Sequence, residues 1–240
     1  MGKIICIMLA GGKGKRMGTD VSKQYLMLEG NPVVFYSLKA FEPYVDEMVI
    51  VAAKGEEEYC RHEVVEKYGI KKVSKIVSGG AERYLSVFEG LKSIAVGNSG
   101  LETTEKTYVL IHDGARPFIS GDVVQEVIRK VMECNACITA VPSKDTVKLG
   151  DENGIVTDTP DRRRVWLVQT PQAFEFESIY KAYGKAIDSG RNDITDDSMV
   201  MEAFGEYDIH FVMGDYDNIK LTTPDDMLHG MAILRAKNAL

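Results

Sequence analysis

Leu9–Leu26 reads LAGGKGKRMGTDVSKQYL and follows directly on the apolar run Ile4–Leu9, IICIML. An unbroken run with β-branched residues has the character of a strand buried on both faces, as in a parallel sheet. Chain direction then delivers Gly11, Gly12, Gly14 and Gly18 to the carboxyl edge of that sheet. There the backbone can take positive φ and approach a ligand with no Cβ in the way, and the amides of such a turn point inward at an anion. Lys13, Lys15, Arg16 and Lys23 add positive charge. The segment reads as a polyphosphate site. A merely solvated basic turn would place four glycines within eight residues at a cost in backbone entropy and no gain.

Two common phosphate loops are excluded by spacing. The dinucleotide fingerprint G-x-G-x-x-G fails because Met17 stands where its third glycine should be, and the second strand, EMVIVAA (Glu47–Ala53), ends without an acid for a ribose. The P-loop fails because Gly18 is followed by Thr19 and Asp20 rather than by Lys and Ser/Thr. What remains is a glycine-rich loop in which Arg16 and Lys23 can close over phosphates from two directions.

Outward from this loop the chain alternates strands and helices. Asn31-Pro32 reads as a helix start leading into VVFYSLKAFE. A strand follows at Met48–Ala53, an amphipathic helix at Glu56–Tyr68 ending near Gly69, and a short strand at Lys75–Val77 running into Gly79-Gly80. Arg83 and Ser86 begin the next helix, whose N-terminal amides face the same sheet edge. After the polar loop Gly97–Lys106, Tyr108–Ile111 forms a strand with HDGARPF at its carboxyl end. Three loops thus converge on one crevice, the place where open α/β sheets bind ligands. From Ser143 to Gln169 the rhythm breaks. Thr146–Leu149 and Ile155–Thr157 alternate like strands around a glycine-bounded turn, which predicts a projecting β-arm over 143–170. An isolated hairpin is barely stable in water, so the arm is expected to pack on the same arm of a second subunit. Helices are predicted around Phe176–Ile187, at Asp196–Phe204 and from near Pro224 onward, with a strand at Ile209–Met213.

Composition fits one α/β domain over residues 1–240, with 45% hydrophobic residues to build a core. The net charge of −7 argues against general nucleic-acid binding, which leaves the local basic cluster Lys13–Lys23 as the charge that matters. No apolar stretch approaches the roughly 20 residues that span a bilayer, and no secretory pattern opens the chain, so a cytoplasmic location away from membranes is expected. Cys134-x-x-Cys137 lacks a second ligand pair and reads as two packed thiols rather than a zinc or redox site.

Together these residues carry a resemblance. LAGGKGKRMG followed by KQYL resembles the N-terminus of nucleotide-sugar and nucleotide-alcohol pyrophosphorylases, and the Lys-Gln-Tyr ending is similar to cytidylyltransferases acting on 2-C-methyl-D-erythritol 4-phosphate or ribitol 5-phosphate. Gly79-Gly80-Ala81-Glu82-Arg83 with Ser86, then His112-Asp113-Gly114-Ala115-Arg116-Pro117-Phe118, Asp145-Thr146, Trp166, Gln169-Thr170-Pro171-Gln172, Thr195-Asp196-Asp197 and Asn218-Ile219-Lys220 resemble that family's motifs in order. The resemblance implies a Rossmann-like nucleotidyltransferase fold, a homodimer through the β-arm, and CTP and Mg²⁺ at the site.

It also implies roles. With CTP over the glycine loop, Ala10, Gly11, Gly12, Gly14, Gly79, Gly80, Ser86, Asp113, Gly114 and Lys220 bind the nucleotide. Arg16 and Lys23 stabilise the transition state of in-line attack by an acceptor phosphate on the α-phosphorus. Arg162 and Lys220 grip the acceptor phosphate, with hydroxyls from Thr146 and Thr170. Asp113 either helps hold Mg²⁺ or a ribose hydroxyl, or is a buried acid paired to Arg116. His112 reads as a packed strand residue, since phosphate oxygens need no general base. Asp196 and Asp197 read as helix N-terminal residues favoured by the dipole. Ala81 departs from the family, several members of which carry a polar residue there, so no contact of that side chain carries over. The expected reaction joins CTP to 2-C-methyl-D-erythritol 4-phosphate; ribitol 5-phosphate is the alternative acceptor. A non-catalytic nucleotide binder is a third reading, against which the joint presence of Arg16 and Lys23 weighs.

Overall fold

A computed structural model describes residues 2–12, 22–98 and 106–238. Gly14 and Arg16, and the loop expected near Gly97–Lys106 for the most part, lie outside the described residues. In chain order the elements begin with β1 (Lys3–Ala10), a 3-10 turn (Lys23–Tyr25), β2 (Met27–Leu28), β3 (Asn31–Pro32), α1 (Val33–Phe41), β4 (Glu47–Ala52) and α2 (Glu57–Cys60), which widens into a π-helical Arg61–Glu66. They continue with β5 (Val73–Ser78), α3 (Arg83–Asn98), β6 (Thr107–Asp113), α4 (Gly121–Cys134), β7 (Ala136–Pro142), β8 (Leu149–Gly150) and β9 (Val156–Asp158). After a 3-10 turn at Arg162–Arg164 come β10 (Trp166–Glu175), α5 (Phe176–Asp188), α6 (Asp197–Phe204), β11 (His210–Met213) and α7 (Pro224–Asn238).

The central sheet has seven strands in the order β11-β7-β10-β6-β1-β4-β5. All its pairings are parallel except those of β10, which runs antiparallel to both β6 and β7. The apolar run that opens the chain explains its own position. Cys6 and Met8 face one side, where they pack with Leu38 and Phe41 of α1 and Val127 and Val131 of α4. Ile5 and Ile7 face the other, with Val87 and Leu91 of α3 and Ile179 and Tyr183 of α5. A strand covered on both faces needs no polar alternation. A third, smaller apolar cluster joins Leu28 and Val33 to Phe118, Leu221, Ile233 and Leu234 of α7.

Two expectations are corrected. Asn31-Pro32 does not begin a helix: Glu29 (φ 46°) and Gly30 (φ 90°) turn the chain, Asn31 pairs with Leu28, and Pro32 sits extended as the residue before α1. The excursion also ends earlier than 170. Residues Trp166–Glu175 form β10 inside the main sheet, and only the β8–β9 hairpin and its flanks project. The register shift between Val168 and Gln172 breaks the apolar run, which is why this strand is hard to see in the sequence. Among the described residues no helix is long and apolar enough to cross a membrane.

Candidate functional site

Because β1, β4, β5 and β6 are parallel, their carboxyl ends open on one edge. There lies a crevice of about 750 Å³. Gly11 and Gly12 border it after β1, Ala53 and Lys54 after β4, Gly79 and Gly80 after β5, and Asp113 and Ala115 at the end of β6; Lys23, Gln24, Glu82, Arg83, Ser86 and Lys220 are among the other lining residues.

The local sequence builds each wall. Gln24 is buried and its side-chain amide donates to the carbonyl of Ala10, which ties the Lys23–Tyr25 turn to the end of β1. An ideal Cβ on Gly12 would lie 3.5 Å from Lys23 Cε, so the lysine stem runs alongside the glycine backbone. At the second glycine pair, Gly79 N–H donates to Ala52 O at 2.7 Å and Gly80 N–H to Ser86 Oγ at 3.1 Å. A Cβ on Gly80 would come within 2.4 Å of Leu85 Cβ, so the turn into α3 closes only with glycine there. Gly114 similarly lies against Leu9 O, to which its N–H donates at 2.9 Å; it shapes the strand end without lining the crevice.

Asp113 is the electrostatic centre. Its Oδ1 accepts from Arg83 Nε at 3.1 Å, its Oδ2 lies 2.7 Å from Lys220 Nζ, and Arg116 Nε stands 4.0 Å away. Burial alone would push its carboxyl up, but Arg83 and Lys220, aided by Arg116, overcome this and hold it well below the usual carboxylate range. Of the alternatives for Asp113, the structure shows the buried acid paired with cations, Arg116 among them. Both oxygens already face cations, and among the described residues no cluster of three or more His, Cys, Asp or Glu stands ready to hold a metal. With both oxygens on cations, Asp113 could take Mg²⁺ only by giving up one of them.

Behind Asp113 runs a chain of hydrogen bonds. The Asp113 N–H donates to Thr170 Oγ1 at 3.1 Å, and that hydroxyl donates to His112 Nδ1 at 3.1 Å. His112 Nε2 faces the Arg116 carbonyl at 3.1 Å; a carbonyl only accepts, so this nitrogen carries the proton. Burial pushes the imidazole down to about 4, so it is a neutral packing residue, not a base. Asn218, also buried, donates to Gln169 Oε1 and to Thr170 O and accepts Arg116 Nη1 at 2.7 Å. These bonds hold the segment that presents Lys220.

A second cavity of about 440 Å³ adjoins the first and shares Arg83, Asp113 and Lys220 with it; Arg116, Thr170 and Gln172 are among its other walls. Thr170 therefore lies in this second cavity rather than in the crevice. Thr146 and Arg162 line neither cavity of this chain. Both are exposed on the flanks of the arm, where Arg162 Nη1 donates to Lys144 O at 3.2 Å. The pairing of Arg162 with Lys220 is therefore not made within one copy. Asp196 is the helix cap its position suggests, accepting from Met199 N–H at 3.0 Å. Asp197 is not just a first-turn acid: it turns inward onto Arg83.

Beyond the pairing of Arg116 with Asp113, the sequence points to no role for Arg83, Arg116 or Tyr183. The first two were visible inside quoted motifs, but their partners lie up to 114 residues away, and no spacing signals such a contact.

The chain has counterparts among known proteins. A family model for 2-C-methyl-D-erythritol 4-phosphate cytidylyltransferase (IspD) matches residues 4–236. The chain is similar to a protein of that name from Lachnoclostridium phytofermentans, 46% identical over 236 residues that make up 98% of this chain and 97% of that one. A counterpart from Alkaliphilus metalliredigens is 45% identical over 98% of this chain and 94% of its own length. Among solved structures, the 4-diphosphocytidyl-2C-methyl-D-erythritol synthase of Anaerococcus prevotii superposes with a TM-score of 0.81 at 34% identity, covering 98% of this chain and 99% of that one.

Proposed function

Since the chain belongs to the 2-C-methyl-D-erythritol 4-phosphate cytidylyltransferase family, we propose that it transfers CMP from CTP to 2-C-methyl-D-erythritol 4-phosphate, a step of isoprenoid biosynthesis. A phosphate oxygen of the acceptor attacks the α-phosphorus of CTP. The bond to the β-phosphate oxygen breaks, and pyrophosphate leaves. The observation that carries the reading is the crevice itself: it opens at four parallel strand ends, is floored by glycine backbone at those of β1 and β5, and is bordered by Lys23, Lys54, Arg83 and Lys220 with the acids Glu82 and Asp113.

In this reading the cytosine and ribose lie along Gly79, Gly80 and Ser86, and the triphosphate lies toward Gly11, Gly12 and Lys23. The attacking oxygen is already anionic, so the protein needs no base. It needs charge aimed at the oxygens on which negative charge builds. Arg16 and Lys23 are assigned that task, and Lys220, on the wall shared with the second cavity, faces the incoming phosphate. CTP enters as substrate. Mg²⁺, brought with the triphosphate, would supply further charge neutralisation; Asp113 is left to its three cations.

A homodimer completes the proposal. The arm exposes Leu149, Ile155 and Val156, an apolar face that a second arm would cover. Pairing through it would carry Thr146 and Arg162 to the neighbouring copy's acceptor site. All four cysteines are unpaired, which supports a reducing, cytoplasmic setting.

Pyrophosphate release, measured with CTP and each acceptor side by side, tests the reading. We expect release with 2-C-methyl-D-erythritol 4-phosphate well above that with ribitol 5-phosphate. The reverse order overturns the acceptor, and no release with either overturns the enzyme. Arg16→Ala, Lys23→Ala and Lys220→Ala should each lower kcat by about 10²–10³-fold. A loss below about tenfold, the range of an exposed ion pair, removes the residue concerned from the machinery.

A further inference from the structure

Arg83 is the side chain through which the crevice and the second cavity meet. Its Nε donates to Asp113 Oδ1 at 3.1 Å, and its Nη1 and Nη2 donate in parallel to Asp197 Oδ1 and Oδ2, each at 2.9 Å. Asp197 is fully buried, and its Oδ1 also accepts the hydroxyl of Tyr183 at 2.6 Å. One connected line thus runs from α5 through α6 and α3 to the end of β6, and on through Asp113 Oδ2 to Lys220. Neither Asp197 nor Tyr183 lines either cavity.

We propose that Asp197, braced by Tyr183, is a positioning residue: it fixes the plane of the Arg83 guanidinium and, through it, the Asp113 carboxylate and Lys220 ammonium at the reacting end of the crevice. A bidentate carboxylate holds both terminal nitrogens of an arginine and leaves only Nε to face another partner, so Asp113 is approached from one defined direction. Helix capping does not account for Asp197, because Asp196 already caps α6. Packing does not account for it either, since a fully buried carboxylate is costly unless its partners are held in place. Burial keeps the Tyr183 phenol protonated, and Asp197 reinforces this, so it remains a donor. Burial works against the charge of Arg83, but Asp197 and then Asp113 outweigh it.

The inference rests on the cytidylyltransferase reading, and its test separates the two. Asp197→Asn, Tyr183→Phe and the double variant are assayed for pyrophosphate release over a range of CTP concentrations at saturating 2-C-methyl-D-erythritol 4-phosphate, normalised to folded protein. Asp197→Asn should lower kcat by about tenfold or more while the KM for CTP moves by less than about threefold. Tyr183→Phe should show a smaller loss in kcat. The double variant should be no worse than Asp197→Asn, because Tyr183 acts only through that carboxylate. A folded Asp197→Asn with kcat within about twofold of the parent overturns the proposal. If that variant fails to fold, Tyr183→Phe with a lowered Tm and an unchanged kcat overturns it instead. Guanidinium NMR supplies a readout independent of turnover. Separate, slowly exchanging Nη signals of Arg83 are expected in the parent and averaged ones in Asp197→Asn, and identical spectra refute the lock even if the parent proves inactive with CTP.

Discussion

His112 sits between the sheet and α1, its ring 4.7 Å from that of Phe41, with both nitrogens engaged by Thr170 and the Arg116 carbonyl. Burial favours its neutral form, so its folded value of about 4 lies below the ordinary 6.5. Protons therefore bind the unfolded chain more readily. The stability this residue contributes is complete above about pH 6.5 and is lost as pH falls from there toward 4. The loss should be on the order of 3 kcal/mol over that window. Asp113 adds to the same trend only at lower pH, because its cations hold its carboxyl below the usual range. Urea denaturation between pH 7 and 4 checks this. His112→Gln, which can keep a donor toward the Arg116 carbonyl but does not titrate, should show a flatter profile than the parent; identical slopes would discount His112 as the source. At this scale sequence reading was uneven. The packed, non-basic role of His112 followed from the chemistry alone, and the bordering role of Lys23 and Gly12 from their loop. Of the charge environment of Asp113 only the nearby Arg116 was an alternative the sequence offered, since Arg83 and Lys220 come from two distant segments.

The turn from β5 into α3 is the element most legible in the sequence, because everything that shapes it lies between Ala52 and Ser86 in adjacent parallel strands and the helix start. Gly80 has no room for a Cβ: Leu85 Cβ lies 2.4 Å from its ideal position and the Leu85 carbonyl carbon 3.1 Å. Gly80→Ala must therefore displace backbone as well as side chain, with an expected loss of about 1–3 kcal/mol. The shift would also move Ser86 Oγ from Gly80 N–H, so the KM for CTP should rise. Thermal melts and initial rates check both, and an unchanged KM would detach this turn from nucleotide binding. β10 was the least legible element. A strand that reverses direction among parallel neighbours is reached from β7 without a crossover helix, and its polar bulge at Gln169–Gln172 conceals the apolar pattern. That same bulge aims Thr170 at Asp113, so the feature that hid the strand is the one the site uses.

For the whole molecule, the open questions concern assembly and how distant segments are held together. Leu149, Ile155 and Val156 are each at least half exposed on a hairpin of two-residue and three-residue strands. Such a hairpin is poorly supported alone. Sedimentation velocity should show a dimer, and Leu149→Asp with Val156→Asp should convert it to monomer and lower kcat, since Thr146 and Arg162 would no longer reach a neighbour. A parent that sediments as a monomer would remove the arm from assembly. The small cluster around α7 has a different reach. Leu28 and Val33 follow the turn bearing Lys23; Ile219 and Leu221 flank Lys220; both groups rest on Ile233, Leu234 and Phe118. Both ammonium groups thus share this small cluster as a support, in addition to their separate ties to the end of β1 and to β10. A protease or premature stop codon removing the last dozen residues would be expected to silence turnover while leaving a sheet that still melts cooperatively, so inactive yet well-folded fragments of this chain should be obtainable.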